Sequence, residues 1–570
     1  MVGTYDEGVY PMAETTKSPV QGKTKSIIGG MTVLGLAGII CKLVGVLFSI
    51  PLQWMIGMKG LGVYNAVFPT YNLLLTISSA GLPVAVSRLV AHSLARDNPK
   101  GAKQVFRTAL LMLTILGCLA TILIFAMSGY LSTTVVEIPE SLLGFEVIAP
   151  CVALVCMMSA FRGFMQGQQN MTPTAISQLI EQVGKVAVAL PLAYLGSVVG
   201  AGIDAENALM AAQAAGSAAA DAFNTHTYAA AYGAAGALLG TTIAEAAAFL
   251  YMVLLWFRRK AQFDSRPQLC HDAPLTDAAI TKQLIAISIP ITIGACIVPL
   301  SQFIDSAMLM GRLQMAGHTK DAAQELYGLF TGTVIRIINI PTALALAVSM
   351  SLVPAISSAR AVGDEEGIRR QGDLGLRFAF LIGLPCSIGM SVLAEPVMRF
   401  LYQETTSEAH LITGGQLLSV SALTIVLFTV VQATTSILQG LGKQRIPMYT
   451  LVAGVVCKII LNYVLVAIPG LDIHGAPIAS IVCYTVSLVP NLYYCMKYGK
   501  LRFNAMGWLV RPGIATAAMG VIVYGLRELL PTGRFFTLLE VAIGVAAFAA
   551  ASLAVKAITK EDLRAFRRKK

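Results

Sequence analysis

Long apolar stretches recur along the whole chain, each bounded by polar residues or by glycine and proline. A transmembrane helix needs about 20 consecutive apolar residues, so stretches of this length predict membrane spans. The pattern predicts an all-α polytopic membrane protein with about fourteen transmembrane helices. The predicted spans lie near 27–51, 63–93, 104–128, 141–166, 171–196, 228–257, 284–310, 328–358, 374–398, 411–439, 447–468, 475–496, 508–529 and 535–556.

The composition supports this class. Of the 570 residues, 56% are hydrophobic and 12% are charged, and the mean hydropathy is +0.71. A typical soluble domain carries about 25% charged residues. The polar segment 1–26 precedes an apolar run that is too long for a cleavable signal peptide. Residues 1–26 are therefore expected to form a cytoplasmic tail, and 27–51 the first retained span.

Lysine and arginine are unevenly distributed between the two sides of the predicted membrane. They cluster in segments that lie on the same side of the predicted membrane as the N-terminus. The predicted outer loop 197–227 contains no lysine and no arginine. Cytoplasmic loops are enriched in these residues, so both termini are predicted to be cytoplasmic. The net charge of +11 is accounted for by these loops and does not indicate nucleic-acid binding. The basic segments are 96–103, 258–260, 369–370, 443–445, 497–500 and 564–570.

The two halves of the chain resemble each other. A Gln-Gly pair opens "FMQGQQNMTPTAISQLIEQVGKV" and also "ILQGLGKQRIPMYTLVAGVVCKI", and eighteen residues after the glycine come Lys185 and Lys458, respectively. Because six spans per half is an even number, both halves should have the same orientation, as parallel repeats with a cleft between them. Two pairs of prolines recur at nearly the same offset: Pro69 with Pro341, and Pro83 with Pro354.

The repeat and the loops predict the domain organisation. Two parallel-repeat six-helix bundles, the N-lobe and the C-lobe, are followed by a C-terminal helix pair. The predicted parts are a cytoplasmic tail 1–26, an N-lobe 27–257 with the outer loop 197–227, a cytoplasmic linker 258–283, a C-lobe 284–500, spans thirteen and fourteen at 501–556, and a basic cytoplasmic tail 557–570.

Eight ionisable residues within the predicted spans are candidates for a functional role. A charge at the bilayer centre costs about 2.5–3.5 kcal/mol on insertion scales, so such residues normally face the protein interior, a partner or water. Basic residues predominate, which predicts a cationic cavity suited to a phosphate or pyrophosphate head group. The candidates for substrate binding are Lys42, Arg88, Lys185, Arg336 and Lys458, and the candidates for coupling to H⁺ or Na⁺ are Glu181, Glu245 and Asp305.

Structural explanations compete with some of these roles. Glu181 and Lys185 are four residues apart, so they could neutralise each other on one helix face instead of binding an ion. Arg88 lies near the cytoplasmic end of a long helix, where its side chain could extend to the interface. Lys42 lies near mid-bilayer and Arg336 about one third of the way into span eight, and for these two a role in the cavity is favoured.

A Gly-Leu-Pro triplet at 81–83 interrupts the second predicted span. Pro83 cannot donate a backbone hydrogen bond and should bend the helix toward its cytoplasmic end. The repeat places Pro354 at the matching position of span eight. The two bent helices are predicted to face each other as an inner gate. Gly81, Pro69 and Pro341 are the further gate or hinge candidates.

Motifs that would indicate an enzyme are not found in the sequence. It has no P-loop and no HExxH zinc motif, and no spacing suggests a nucleophile with its base. The six histidines are scattered along the chain. No metal or other cofactor is predicted, and ATP hydrolysis through a P-loop is excluded.

Several stretches together resemble one transporter family. The segment "KLVGVLFSIPLQWMIGMKGLGVYNAVFPTYNLLLTISSAGLPVAVSRLVA" is similar to the N-terminal signature of the polysaccharide-biosynthesis exporters. This branch of the multidrug/oligosaccharidyl-lipid/polysaccharide (MOP) superfamily includes stage V sporulation protein B and the MurJ-type lipid II flippases. Further similar stretches are "SAFRGFMQGQQNMTPTAISQLIEQVGKV", "FIDSAMLMGRL", "IINIPTALALAVSMSLVPAISSA" and "ILQGLGKQRIPM".

The resemblance extends over most of residues 27–500 and carries its own implications. It implies two six-helix lobes plus a terminal helix pair, and transport by alternating access. It also implies that cationic residues of the central cavity hold a lipid-linked pyrophosphate sugar. Lys42 matches the basic residue of the span-one motif, and Asp305 matches the Ile-Asp pair of span seven. The Ala-rich loop 197–227 and the polar N-terminal extension depart from the family pattern. The loop could instead contain a short extra helix.

These features predict a bacterial flippase that exports an undecaprenyl-pyrophosphate-linked cell-wall saccharide, such as the peptidoglycan precursor lipid II. One alternative is a cation-coupled multidrug exporter, which should have an acidic cavity. Another is a membrane-embedded transferase of envelope sugars, which would need a catalytic cluster. The expected location is the bacterial cell membrane, and the expected partners are the lipid bilayer and the anionic lipid-linked saccharide. The sequence predicts no particular oligomeric state.

Overall fold

The structure is a computed structural model that describes residues 21–79, 81–215, 227–265, 267, 276–404, 406–531 and 533–557. The side chains of 21–39, 42–43, 46, 78–79, 208, 211–215, 290, 343–351, 354 and 361 also lie outside the described part. Most of both predicted cytoplasmic tails and part of the predicted linker 258–283 fall outside these residues. The same is true of the second part of the predicted loop 197–227.

All regular secondary structure in the described ranges is helical. Polar caps fix several helix starts: Asn98 accepts a hydrogen bond from the Gly101 N–H at 2.7 Å, and Thr276 one from the Ala279 N–H at 3.3 Å. The α-helices are α1 Gln21–Ser79, α2 Leu82–Ala95, α3 Pro99–Tyr130, α4 Leu142–Gly167, α5 Thr172–Gly184, α6 Leu190–Ala215, α7 Thr227–Asp264, α8 Asp277–Met315, α9 Lys320–Gly328, α10 Ile335–Ala361, α11 Glu365–Val392, α12 Ala394–Tyr402, α13 Glu408–Ser421, α14 Leu423–Gly440, α15 Arg445–Leu465, α16 Gly475–Gly499, α17 Arg511–Leu529 and α18 Arg534–Ala554.

Shorter helical turns of other types connect some of these helices. Two 3₁₀ turns span Pro139–Ser141 and Asp472–His474. Four π-helical segments span Leu131–Val135, Lys185–Ala189, Leu329–Val334 and Met506–Val510. Such π segments often occur at functional sites. One of them begins at Lys185, and another ends two residues before Arg336.

Twelve helical runs among the described residues are long and apolar enough to cross a membrane. The chain is therefore a multi-pass membrane protein, as the sequence predicts. Predicted spans one and eight are not among the twelve as separate runs, and both include side chains outside the described part. The count of fourteen spans stays a prediction.

The backbone breaks twice in the region of predicted spans one and two. Gly57 has a φ of 67° and a ψ of −176° inside α1, a conformation that only glycine adopts without strain, and it separates the two predicted spans. A second break lies between Ser79 and Leu82, where α2 begins with Pro83 in its first turn. Proline needs no hydrogen-bond acceptor at this position. The predicted bend near Pro83 is thus a break between two helices.

The predicted outer loop 197–227 is helical over much of its length, because α6 continues to Ala215. Asp204 explains how α6 pairs with α7. Its carboxylate accepts hydrogen bonds from the backbone N–H groups of Tyr228 at 3.1 Å and Ala229 at 2.9 Å. A carboxylate at a helix N-terminus satisfies unpaired N–H groups and complements the helix dipole. Residues 197–215 are therefore helical, and their predicted place on the outer side of the membrane stays a prediction.

The hydrophobic core shows how the two lobes are joined. At the predicted outer end, one continuous cluster includes Val67 and Phe145 of the N-lobe together with Leu329 and Leu417 of the C-lobe. Trp508, in the segment before α17, belongs to a second core cluster in the C-lobe. The lobes therefore share apolar packing at the predicted outer end.

Candidate functional site

Four charged side chains meet inside the N-lobe and form what is called here the N-lobe cluster: Arg162 of α4, Glu181 of α5, Lys185 of the following π segment and Glu245 of α7. Arg162 donates to Glu181 at 3.3 Å, and Lys185 donates to the other Glu181 oxygen at 3.4 Å. Arg162 also donates to the Ser177 hydroxyl at 3.0 Å. The predicted pairing of Glu181 with Lys185 is present, with Arg162 as an additional partner.

Glu245 is the most buried member of the N-lobe cluster, with 2% of its surface exposed. Its Oε2 atom has no hydrogen-bond partner among the described residues. Its carboxyl group lies near that of Glu181, and the two interact. Burying a carboxyl oxygen without a hydrogen-bond donor costs free energy.

A second polar group lies within the C-lobe. Lys458 of α15 donates to Asp305 of α8, and Asn462 donates to the other Asp305 oxygen at 2.8 Å. Lys458 is also 3.4 Å from the Ser301 hydroxyl. This C-lobe pair joins α8 to α15 and neutralises both charges.

Removing one partner of the C-lobe pair is expected to destabilise the protein more than removing both. Asp305→Asn leaves Lys458 mostly buried without a counter-charge, a change that typically costs about 3–5 kcal/mol, whereas joint replacement by uncharged residues is often neutral. Thermal unfolding in detergent of Asp305→Asn, Lys458→Met and the double variant measures this. Lys500→Met, which breaks the exposed pair with Glu365, is the control and should change the stability little. A double variant as unstable as Asp305→Asn would contradict the pairing.

Arg336 lies between the lobes rather than within one of them. Its guanidinium donates to Asn65 Oδ1 at 2.9 Å and lies 5.3 Å from the centre of the Tyr64 ring. No described carboxylate forms an ion pair with it. The Nδ2 atom of Asn65 also has no hydrogen-bond partner among the described residues. A cation without a described carboxylate partner and an unsatisfied amide donor therefore adjoin each other where α1 meets α10.

The lobes are closed against each other at the predicted outer end. This outer contact is made by residues 58–65 of α1 and residues 320–336. Lys59 pairs with Asp321 at 2.8 Å, and the Tyr327 hydroxyl donates to the Asn65 carbonyl at 2.9 Å. A Cβ atom on Gly328 would lie 2.3 Å from the Met58 carbonyl oxygen. Only glycine permits this approach of the two backbones.

A separate contact joins the lobes at the predicted inner end. A Cβ on Gly81 would lie 2.3 Å from the Ser288 carbonyl oxygen, so the start of α2 packs directly on α8. Asp277, at the first turn of α8, accepts hydrogen bonds from Gln104 at 3.0 Å and Thr108 at 2.9 Å. These hydrogen bonds lower the pKa of Asp277. The inner half of α8 is thus attached to the N-lobe, and its outer half to α15 of the C-lobe.

Neutral polar side chains lie part-way along the helices at the lobe interface. Asn72 of α1 donates to Gln302 of α8 at 3.4 Å, at an exposed position. Asn339 is exposed three residues beyond Arg336 on α10. Polar groups exposed at such depth in a membrane protein usually line an aqueous or substrate pathway. With Arg336 they form the candidate substrate site, which combines one unpaired cation with several amide groups.

The structure places the predicted site residues in very different surroundings. Lys185 and Lys458 are paired with carboxylates, so they do not add free positive charge to the cleft. Arg88 is exposed on α2. The side chain of Lys42 lies outside the described residues. Of the predicted basic cavity, only Arg336 is seen as a cation at the lobe interface without a carboxylate partner in the described part of the chain.

The predicted gate residues lie at several different places in the structure. Gly81 lies at a close contact between the lobes, but its neighbour is α8, and the side chain of Pro354 on α10 lies outside the described residues. Pro69 lies within α1 and Pro341 is buried in α10. The pairing of Pro83 with Pro354 as an inner gate stays a prediction.

Sequence reasoning missed three residues that the structure brings to these sites. Arg162 falls within predicted span four, so the rule that intramembrane charges are functional candidates would have identified it. Tyr64 and Asn65 are uncharged and carry no signal in a single sequence. Their position beside Arg336 depends on the packing of the two lobes.

Two parts of this chain match known protein families. Residues 27–229 match the family described as polysaccharide biosynthesis protein, and residues 290–464 match the family MatE. Stage V sporulation protein B of Bacillus subtilis is 25% identical over 549 residues, which cover 95% of this chain and 97% of the relative. Lipid II flippase MurJ of Bacillus subtilis is 24% identical over 517 residues, which cover 88% of each chain.

Solved structures of transporters have folds similar to that of this chain. The inward closed conformation of a lipid II flippase MurJ matches with a TM-score of 0.64 and 10% identity, over 91% of this chain and 98% of that chain. The chain has the fold of the MOP superfamily of transporters. An inward-facing MATE transporter of the MOP superfamily matches with a TM-score of 0.62 and 15% identity, over 81% of this chain and 95% of that chain. The predicted MOP resemblance and the architecture of two repeat lobes are confirmed.

Proposed function

We propose that this MOP transporter is a flippase for an anionic lipid-linked saccharide, of the undecaprenyl-pyrophosphate class used in cell-wall synthesis. The observation that carries the proposal is Arg336, a cation between the lobes with no counter-charge among the described residues. An anionic head group would supply that counter-charge and would also accept from the free Nδ2 of Asn65. The relationship to a lipid II flippase and to a sporulation protein supports this substrate class.

Transport would proceed by alternating access. In the structure the outer contact is closed, and in our proposal the head group enters from the predicted cytoplasmic side, past the contact of α2 with α8, and reaches Arg336 beneath the outer contact. The lobes then part between residues 58–65 and 320–336, while the prenyl chain stays in lipid, along α17 and α18 in our proposal. The protein carries no reaction of its own in this scheme. Its work is to bind, reorient and release the head group.

The proposed setting is the bacterial cell membrane with both termini in the cytoplasm, as the distribution of Lys and Arg predicts. This orientation places the outer contact on the outer face of the membrane. Delivery of a cell-wall precursor requires movement from the cytoplasmic to the outer leaflet. The conformation in which the outer contact is closed is then the one that binds substrate from the cytoplasmic side.

A multidrug exporter is the second candidate, supported by the MatE match over residues 290–464 and by the MATE structure. An exporter of organic cations needs free negative charge in its cavity. The carboxylates of Glu181 and Asp305 are instead held by Arg162, Lys185 and Lys458. The site between the lobes contains Arg336, which would repel a cation. The charge distribution therefore favours the anionic substrate.

Transport by the purified full-length chain in vesicles separates the two functions. One set of vesicles contains a fluorescent undecaprenyl-pyrophosphate-linked saccharide, and flipping is read as protection from a membrane-impermeant quencher. A second set is tested for uptake of the cationic dye ethidium. We expect the lipid to cross and ethidium to be excluded, with protein-free vesicles as the control. Ethidium transport without lipid movement would refute the proposal.

A further inference from the structure

A cavity lies at the predicted outer end of the protein, where the C-terminal helix pair meets α12 of the C-lobe. Its volume is about 120 Å³, which is roughly four times the share of one water molecule in the liquid. Side chains of α12, of the end of α17 and of the first turns of α18 line it. The charged ones are Glu395, Arg399, Arg527, Arg534 and Glu540. A small charged group is therefore the kind of ligand that this cavity suits.

The arginines of the cavity already have carboxylate partners. Each of them forms an ion pair with at least one glutamate at the same end of the protein. The pairs are Arg399 with Glu395 and Glu408, Arg527 with Glu395, and Arg534 with Glu404. Three positive charges are thus matched by three carboxylates, and the carboxylate of Glu540 remains as negative charge in excess.

Glu540 is the least exposed of the charged side chains that line the cavity. It is 4% exposed and forms no hydrogen bond or ion pair with a described residue. Arg527 is within electrostatic range of it, but the Arg527 guanidinium donates to Glu395 and to the Val392 carbonyl, both at 3.1 Å. Burying a carboxylate without a donor costs free energy. A cationic donor bound in the cavity would remove this cost.

The mouth of the cavity is positive instead. Arg534 and its partner Glu404 are 50% and 75% exposed, and exposed ion pairs contribute little to stability, so Arg534 can turn to another anion. Gly533 precedes α18, and no side chain caps the first N–H groups of this helix. Unpaired N–H groups at a helix N-terminus attract anions. The cavity therefore combines a buried negative charge with a positive entrance.

We propose that this cavity binds the head group of a phospholipid that carries a primary ammonium group beside its phosphate, with phosphatidylethanolamine as the simplest example. The ammonium group donates to Glu540, and the phosphate lies at Arg534 and the start of α18. An ammonium group brings three N–H donors. A metal ion is a poorer fit, because the described residues contain no group of three His, Cys, Asp or Glu side chains that could hold one.

The surroundings of the cavity favour a lipid over a soluble ligand. α17 and α18 both belong to runs that are long and apolar enough to cross a membrane, so the ends that meet here lie at the level of the lipid head groups. Beside the cavity Leu529, Phe535 and Leu538 are 82%, 72% and 55% exposed. These apolar side chains can contact the acyl chains of a lipid whose head group occupies the cavity. The site is separate from Arg336 and does not rest on the proposed function.

Lipid binding to the delipidated full-length protein in detergent tests the site without any variant. Phosphatidylcholine is the matched control lipid, because it has the same net charge and its quaternary ammonium group has no N–H donor. We expect phosphatidylethanolamine to bind about tenfold to a hundredfold more tightly, the range typical of a hydrogen bond to a charged group. Equal dissociation constants for the two lipids in native mass spectrometry would overturn the proposal.

Variants of Glu540 assign the preference to this cavity. Glu540→Gln should bind both lipids equally, and Glu540→Asp should keep part of the preference. The matched control is Glu528→Gln, which removes an exposed carboxylate near the end of α17 that does not line the cavity. An unchanged preference in Glu540→Gln would overturn the site. Should Glu540→Gln fail to fold, the comparison of the two lipids with the wild type still decides the question.

Soluble phosphoethanolamine distinguishes the lipid from a free molecule with the same head-group chemistry. We expect it to bind more weakly than phosphatidylethanolamine, because it lacks the acyl chains that contact the apolar side chains beside the cavity. If it bound in a manner that depends on Glu540 while the lipid did not bind, the assignment to a phospholipid would be wrong. None of these measurements requires flipping, so their outcome is independent of the proposed transport.

Discussion

Replacing Arg336 with glutamine is expected to reduce flipping of an anionic lipid by about tenfold to a hundredfold, because a hydrogen bond to a charged group contributes about 1.5–3 kcal/mol. The same change should not lower the thermal stability. Arg336 has no described carboxylate partner, so its removal breaks no ion pair and relieves the desolvation of a charge. Flipping in vesicles and the Tm in detergent are the two measurements.

Two further variants distinguish substrate binding from a structural role. Arg336→Lys keeps the charge and should retain part of the activity. Arg88→Gln removes a cation that is exposed on α2, and it should leave flipping close to that of the wild type. If Arg336→Gln lowered the Tm and the activity together, while Arg88→Gln had the same effect on transport, the cation at the lobe interface would not be the substrate site.

Replacing Gly328 with leucine is expected to prevent the lobes from closing at the outer contact and to reduce flipping to the level of protein-free vesicles. A Cβ atom at this position would lie 2.3 Å from the Met58 carbonyl oxygen. Backbone atoms cannot move away as a flexible side chain can, so the two helices must separate. The test combines flipping with labelling of Asn65→Cys, which should react faster with a water-soluble thiol reagent when Gly328→Leu is present.

Gly129→Leu is the matched control for this change. Gly129 also lies in a helix, but a Cβ atom there would meet nothing within 4 Å. The control should flip lipid normally and leave the labelling of Asn65→Cys slow. Normal transport by Gly328→Leu would show that closure between residues 58–65 and 320–336 is not needed.

Much of the fold was predictable because the patterns that indicate it can be found along a single sequence. Apolar stretches of membrane length and the offset between Lys185 and Lys458 are both visible along the chain. The segment 197–215 is rich in alanine, a strong helix former, so a helix there was an alternative to the predicted loop. Its pairing with α7 depends on Asp204, which caps a helix that begins 23 residues later.

The site was less predictable because its chemistry depends on which charges meet. The spacing of Glu181 and Lys185 predicted their contact. Nothing in the spacing predicted that Asp305 on α8 would be paired with Lys458 on α15, 153 residues away. Such pairings neutralise positive charges near the cleft and leave Arg336 without a carboxylate partner among the described residues. They are properties of helix packing, which a single sequence does not show.

The central claim is that the lobes close at the outer contact and separate there during transport. Distances between spin labels on Thr134 and Lys320, one on each lobe at the predicted outer end, test it most directly. A second pair, on Arg88 and Glu366, reports on the inner end. On addition of an undecaprenyl-pyrophosphate-linked saccharide to vesicles, we expect a longer outer distance to appear and the inner distance to shorten. Unchanged distances at both ends while the lipid is flipped would contradict the account.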